Sequence, residues 1–217
     1  MKILHLVCIT ILFFILPTKV LAQETNLNQF VSIVNPVRIS PYTKNPSASL
    51  MSEYQEVAKR NLPATWLLTY DAMLDAGINS TIKAMNQSQE LGLFLEVTES
   101  FAKDSEVTYN KTDSWHRASS VLLSGYPQED RRKLVDQALE KFKIFFGFYP
   151  TSVEAWWVDS YSLDYMQAKY GISANLTVAD QFATDGYQIW GQYWSTPFYP
   201  SKFHSGMPAV TLANRLD

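Results

Sequence analysis

Two glutamates interrupt strand-like apolar segments in this chain of 217 residues. Glu96 lies in QELGLFLEVTES (89–100), and Glu154 lies in TSVEAWWV (151–158). An unpaired charge in such surroundings costs several kcal/mol unless it has a partner or water. Carboxyl groups can act as general acid, general base or nucleophile, which is the chemistry of glycosidic bond cleavage. The alternative is structural, in which each glutamate pairs with a cation such as Arg38 in a buried ion pair.

Other acids and aromatic residues lie near the ends of the predicted strands. Aromatic rings stack on the apolar faces of sugar rings, so acids among aromatic side chains suit a sugar site. Asp71 is a further acid, although it could equally cap the following turn, and Asp159 is better explained as a helix N-cap. The C-terminal segment 186–217, the aromatic tail, is rich in Trp and Tyr and could line a glycan cleft or wrap around the core. The predicted catalytic residues are Glu96, Glu154 and Asp71, and the predicted substrate-binding residues are Arg38, Tyr70, Trp157, Trp190 and Trp194.

Metal, cofactor and nucleophile motifs are not found in the sequence. It contains no G-x-S-x-G elbow, no G-x-G-x-x-G, no phosphate-binding glycine loop and no zinc-ligand spacing. Beyond the first 22 residues only two histidines remain, His116 and His204, far apart in sequence. We therefore predict no metal site and no cofactor.

The first 22 residues have the pattern of a secretory signal peptide. Lys2 precedes an apolar run from Ile3 to Leu16, and Val20-Leu21-Ala22 offers a cleavage site before Gln23. An uncleaved anchor is the alternative, but the run is short for a bilayer span. We predict a secreted or periplasmic protein with no stable membrane span after cleavage, and a polar leader over 23–29.

The net charge and the short sequence motifs limit the classes of partner and modification that we expect. Without Lys2 and Lys19 the formal net charge falls from −3 to −5, and no basic run remains, which argues against nucleic acid as a partner. Four N-x-S/T sequences, which matter only in a eukaryotic host, begin at Asn79, Asn86, Asn110 and Asn175.

Strand-like and helix-like segments alternate through 30–217, which we take as a single domain. The predicted strands are 30–35, 64–69, 91–97, 152–157 and 173–178, and the segment 98–127 between the third strand and the clearest helix is predicted to be a long polar loop. Alternation implies parallel strands with right-handed crossovers, hence an α/β barrel or an open doubly wound sheet. The tail closes on a strand-like AVTLAN with no helix after it. We therefore expect a fragment whose natural gene continues beyond Asp217.

Three segments resemble the polysaccharide deacetylase superfamily in their order. They are NLPATWLLTYDAM, QELGLFLEVTES and GFYPTSVEAWWVDSYSLDYMQAKYGI, within residues 30–178. The resemblance implies an incomplete or distorted parallel (β/α) barrel of the deacetylase type. It also locates the family's metal ligands, where this chain has Asn35 to Arg38 in place of aspartates and Phe94 and Thr98 near the histidine positions. The position of the family's arginine falls near Glu154. The family metal site is therefore predicted to be absent.

Two functions follow from the residues and the resemblance together. The first is a secreted carbohydrate-active hydrolase that uses carboxylates instead of the metal site, with a polysaccharide or cell-surface glycan as partner. The second is a barrel that binds glycan, or has a structural role, without catalysis. In the first, Glu96 shares a cleft with Glu154 and at least one of Arg38, Tyr70 or Trp157. Replacing Glu96 by Gln would then abolish activity and leave the melting temperature nearly unchanged.

Overall fold

The computed structural model describes residues 31–40, 42–114, 117–177 and 197–216. The described residues from Ser32 onwards belong to one compact unit. The predicted signal peptide, the polar leader and two of the predicted substrate-binding residues, Trp190 and Trp194, lie outside the described residues, as does His116.

Five parallel strands form one curved sheet, a half-barrel, in the sequential order β1-β2-β3-β4-β5. The strands are β1 (Val34–Val37), β2 (Thr65–Leu68), β3 (Glu90–Phe94), β4 (Ser152–Ala155) and β5 (Ala174–Thr177). Each strand pairs with the next one along the chain, as in a (β/α) barrel. The predicted parallel α/β architecture is confirmed, and sequential order excludes the doubly wound alternative for these strands.

Helices connect the strands. They are α1 (Pro46–Ala58), α2 (Tyr70–Leu74), α3 (Ala76–Lys83), α4 (Glu99–Asp104), α5 (Ala118–Val121), α6 (Gln128–Phe146) and α7 (Ser160–Tyr170). Side-chain caps begin several of them: Asn45 accepts from the Ala48 amide at α1, and Asp159 caps α7. Helices α6 and α7 end at Gly147 and Gly171, both in the left-handed conformation.

The first strand lies further along the chain than predicted. It spans 34–37 instead of 30–35, and Pro36 lies inside it. The carbonyls of Ile33 and Val37 accept hydrogen bonds from the Thr65 amide of β2 and from the Thr69 amide just after it, so Pro36 faces away from that partner. Within the described sheet β1 is an edge strand, and a missing N–H on the outer side of an edge strand breaks no ladder bond.

The two faces of the sheet have different neighbours. Leu68, Leu93 and Val153 belong to the core cluster that packs against the helices. Residues one position away point to the opposite, inner face, because side chains alternate along a strand. Gly92 lies on this face, and a Cβ there would come within 2.5 Å of Leu67 Cδ2 and 2.6 Å of Ser152 Oγ. The inner face is thus closely packed at its middle layer.

Two local predictions are wrong. The segment 98–127 is not a structureless loop: it contains α4, α5 and a 3₁₀ turn at Leu123–Gly125, which bury Phe101 and Val121. The buried side chains are apolar residues that lie singly between polar residues of this segment. The AVTLAN segment forms a 3₁₀ turn at Leu212–Asn214 instead of a strand. Helix α3 is capped by Asp75, whose carboxylate accepts from the Ile78 amide.

Candidate functional site

The site is built at the carboxyl ends of β1, β3 and β4. Phe94 of β3 lies opposite Glu154 of β4, and Glu154 lies opposite Leu176 of β5. Val153 faces the helices, so the next residue, Glu154, points to the inner face of the sheet. Parallel (β/α) barrels carry their functional groups at this end of the strands.

Glu154 is a buried acid. Its exposure is 3%, and within the described part of the chain its Oε2 atom has no hydrogen-bond partner. Burial disfavours the ionised carboxylate and raises the pKa of Glu154 from its ordinary 4.5 to about 7. The group is therefore substantially protonated near neutral pH.

Glu96 is held by an arginine. Arg38 Nε donates to Glu96 Oε2 at 2.7 Å, and Arg38 Nη2 donates to Glu96 Oε1 at 2.9 Å. This two-bond geometry matches the planar guanidinium to the planar carboxylate. The side chain of Glu96 is 10% exposed and that of Arg38 is 30% exposed, so the pair lies partly away from solvent. The structure brings these two predicted site residues together as an ion pair.

The guanidinium of Arg38 also contacts two aromatic rings. It lies 5.0 Å from the ring centroid of Trp156 and 5.8 Å from that of Phe94. The two rings meet edge to face at 5.3 Å. Since Phe94 is the strand neighbour of Glu154, the ion pair, the rings and the buried acid form one continuous group. No hydrogen bond joins Glu96 to Glu154 among the described residues.

Trp157 lies beside a histidine that the sequence did not place at the site. The rings of Trp157 and His204 are 5.6 Å apart and inclined by 34°. The Gly206 amide donates to His204 Nδ1, so the neutral imidazole carries its proton on Nε2. The segment is held there by Ser160 Oγ, which donates to the Ser201 carbonyl at 2.8 Å. No sequence signal could have found this contact, because 46 residues separate the two rings along the chain.

Tyr70 lies in the core on the helix side of the sheet, not with Glu96. It is 2% exposed, stacks on Phe101 at 4.5 Å, donates to Asp104 Oδ2 at 2.8 Å and accepts from Gln137 Nε2 at 2.9 Å. Burial raises the pKa of Tyr70 to about 12. These contacts assign Tyr70 to packing between helices.

Asp71 also follows β2, but it belongs to helix α2. It lies in the first turn of α2 and accepts a hydrogen bond from the Ser100 hydroxyl. An acid in a first turn interacts favourably with the helix dipole. No contact in the described structure joins Asp71 to Glu96 or Glu154.

The N-cap role predicted for Asp159 is confirmed. Its Oδ1 accepts from the Ser162 amide at 3.0 Å, and its Oδ2 accepts from the Ser162 hydroxyl at 2.7 Å. Arg131 Nη1 of α6 donates to the same carboxylate at 3.0 Å. Asp159 thus fixes the start of α7 against α6, just after the two tryptophans that follow β4.

Within the described ranges, no group of three or more His, Cys, Asp or Glu side chains is arranged to hold a metal ion. None of the described helices is long and apolar enough to cross a membrane.

Comparison with known proteins identifies the fold. No family model matches the chain, and no curated protein matches it. Among solved structures it is similar to a Parabacteroides distasonis protein assigned as a glycoside hydrolase/deacetylase, with TM-score 0.55 and 18% identity over 87% of this chain and 43% of that one. It also matches peptidoglycan deacetylase PdaC from Bacillus subtilis, with TM-score 0.41 and 14% identity over 71% of this chain and 61% of that one.

This chain therefore has a polysaccharide deacetylase-like fold, as the order of its segments predicted. It spans less than half of the Parabacteroides protein.

Proposed function

We propose that this chain is a secreted carbohydrate-active hydrolase that uses its own carboxyl groups to cleave a polysaccharide. The observation that carries the proposal is Glu154, a buried acid with a pKa of about 7 at the carboxyl end of a parallel strand. A general acid works best when its pKa lies near the working pH. Glycosidic bond cleavage needs such a proton donor for the leaving oxygen.

The second carboxyl group in the proposal is Glu96. Hydrolysis by two carboxyl groups needs one protonated acid and one carboxylate whose environments differ. Arg38 holds Glu96 by two hydrogen bonds, while Glu154 is buried without a described partner for Oε2. These environments fit an acid role for Glu154 and a carboxylate role for Glu96. Trp157, half-buried beside His204, supplies a ring on which a sugar can stack.

One observation favours the second candidate function, glycan binding without turnover. Both oxygens of Glu96 already accept hydrogen bonds from Arg38, which leaves that carboxylate engaged in a structural pair. Asp71 lies at the start of α2 and offers no replacement. A barrel of this kind would retain an aromatic binding surface and lack the second catalytic group.

Hydrolysis and binding are separated by one pair of assays on the full chain. We expect release of new reducing ends from a panel of soluble and cell-wall polysaccharides, and a loss of roughly 10²-fold or more in rate for Glu154→Gln. The matched control is Glu106→Gln, an exposed turn residue, which should keep the full rate. Polysaccharide retention in affinity electrophoresis without reducing ends would favour the binding function. Neither retention nor turnover on any polysaccharide would reject both.

Export belongs to the same proposal. It is supported by the leader pattern of residues 1–22, whose structure is not described. Intact-mass measurement of protein recovered from the medium or periplasm should give a chain that begins at Gln23. A recovered chain that retains Met1 would contradict cleavage.

A further inference from the structure

The structure separates the four N-x-S/T sequences by the surroundings of their asparagines. N-linked glycosylation joins a sugar to the side-chain nitrogen of asparagine, and the product is bulky and exposed. An acceptor that a folded chain can use must therefore present that nitrogen to solvent. Asn79, Asn86, Asn110 and Asn175 all lie in described parts of the chain, so each can be judged by its contacts.

Two of the asparagines use their side-chain nitrogen to hold the fold. Asn79 is 8% exposed, and its Nδ2 donates to the Met73 carbonyl at 3.1 Å. Asn110 Nδ2 donates to the carbonyls of Ser119 at 3.1 Å and Gly125 at 2.7 Å. A sugar on either nitrogen would displace these hydrogen bonds and the packed segments that supply them.

Asn175 lies inside the sheet. It is in β5 opposite Val153 of β4, a residue of the core that faces the helices. Its side-chain oxygen is enclosed. Asn175 is half-buried in a strand that is hydrogen-bonded to β4, so a glycan on its side chain would crowd the paired edge of the sheet.

Asn86 has the opposite surroundings. It is exposed in the loop between α3 and β3, and its Nδ2 atom makes no hydrogen bond within the described part of the chain. Its Oδ1 accepts from the Ser88 amide at 3.1 Å and from the Ser88 hydroxyl, so the first and third residues of the sequence motif are already in contact. An open groove of about 240 Å³ borders Asn86 and leaves room beside it.

We propose that Asn86 is an N-glycosylation site and that the fold excludes the other three sequences as acceptors. The co-reactant is a lipid-linked oligosaccharyl pyrophosphate. The Asn86 nitrogen forms a bond to the anomeric carbon, the bond from that carbon to the pyrophosphate oxygen breaks, and the lipid pyrophosphate leaves with the electron pair. One amide proton passes to a base of the transferase. This site is independent of the proposed hydrolase activity.

The test uses the folded full chain and an isolated oligosaccharyltransferase with a lipid-linked oligosaccharide as donor. Peptide mass mapping after the reaction reports each of the four asparagines separately. We expect the folded chain to gain one oligosaccharide, at Asn86, and the urea-unfolded chain, diluted into the assay, to be modified at additional asparagines. Asn86→Gln and Ser88→Ala should remove the modification of the folded chain. Thr112→Ala, which destroys the sequence at Asn110, should leave it unchanged.

Each other result overturns the proposal. Modification of folded protein at Asn79, Asn110 or Asn175 would show that these nitrogens are accessible. A folded chain that stays unmodified at Asn86 would show that exposure of this loop is not sufficient. Modification of the unfolded chain at Asn86 alone would show that local sequence, and not the fold, makes the selection.

Discussion

Replacing Glu154 by Gln should stabilise the protein at alkaline pH and change little at acidic pH. Burial raises the pKa of Glu154 from 4.5 to about 7, so the folded state binds its proton more tightly than the unfolded chain does. Between these two values the folded state carries a proton that the unfolded state has lost. Stability must therefore fall as the pH rises through this window.

The size of the effect follows from the pKa values. One pKa unit corresponds to about 1.36 kcal/mol, so ionised Glu154 costs the folded state roughly 3 kcal/mol above neutral pH. The residue is 3% exposed, and solvent screening reduces this figure little. The free energy of unfolding should decrease by roughly 1.4 kcal/mol per pH unit across the window and level off above it. Glutamine keeps the shape of the protonated acid and does not titrate.

Urea unfolding of both proteins at about pH 5 and about pH 8 measures the difference. We expect the variant to exceed the wild type by about 2–3 kcal/mol more at the higher pH than at the lower. Glu106→Gln, at an exposed turn, is the control for general charge effects and should show no such change. An equal difference between variant and wild type at both pH values would refute a raised pKa at Glu154.

Three further predictions concern packing and ion pairs. Glu96→Gln should lower the free energy of unfolding by about 2 kcal/mol in chemical denaturation, because it leaves the partly buried Arg38 without its carboxylate. The control Glu99→Gln breaks an exposed 3.7 Å contact with Lys111 and should cost less than about 0.5 kcal/mol. Equal effects would contradict the difference in burial. Gly92→Ala should cost about 1–3 kcal/mol by the same assay, since its Cβ would lie 2.7 Å from the Ser152 backbone carbonyl, and an unchanged midpoint would disprove the close packing. Asp159→Ala should lower the melting temperature more than Asp159→Asn, because asparagine keeps the cap and loses only the charge that faces Arg131; equal losses would show that the cap contributes little.

The role of Glu96 shows where sequence reasoning was insufficient. The sequence left two options open, a catalytic carboxylate or a structural partner of Arg38, and the structure pairs the two residues. The expectation that Glu96→Gln leaves the melting temperature nearly unchanged stays untested. The two hydrogen bonds from Arg38 now favour a loss of stability. Sequence could not decide this, because the partners lie 58 positions apart and the chain between them contains two helix crossovers whose geometry no local pattern gives.

The order of elements was determined by the sequence itself. Short β-branched and apolar runs alternate with segments that have a helix cap and an apolar helical face, and this pattern indicates alternating strands and helices. Alternation in turn implies parallel pairing, because a strand that follows a crossover helix runs in the same direction as the strand before it. Asp159 could be assigned as a cap for the same reason: capping involves residues two or three positions away. Interactions between residues this close in sequence can be predicted without the tertiary structure.

Tertiary structure alone decided which side chains share the site. Tyr70 lies in the core on the helix side of the sheet, and His204 packs against Trp157. Glu154 lies on the inner face, where its Oε2 has no hydrogen-bond partner among the described residues. Each of these outcomes depends on the register of neighbouring strands, and a change of one residue in register would reverse the face that every side chain of a strand occupies. Burial, and with it the pKa of Glu154, is a property of that three-dimensional packing, because the desolvation of a carboxyl group depends on atoms brought from distant parts of the chain.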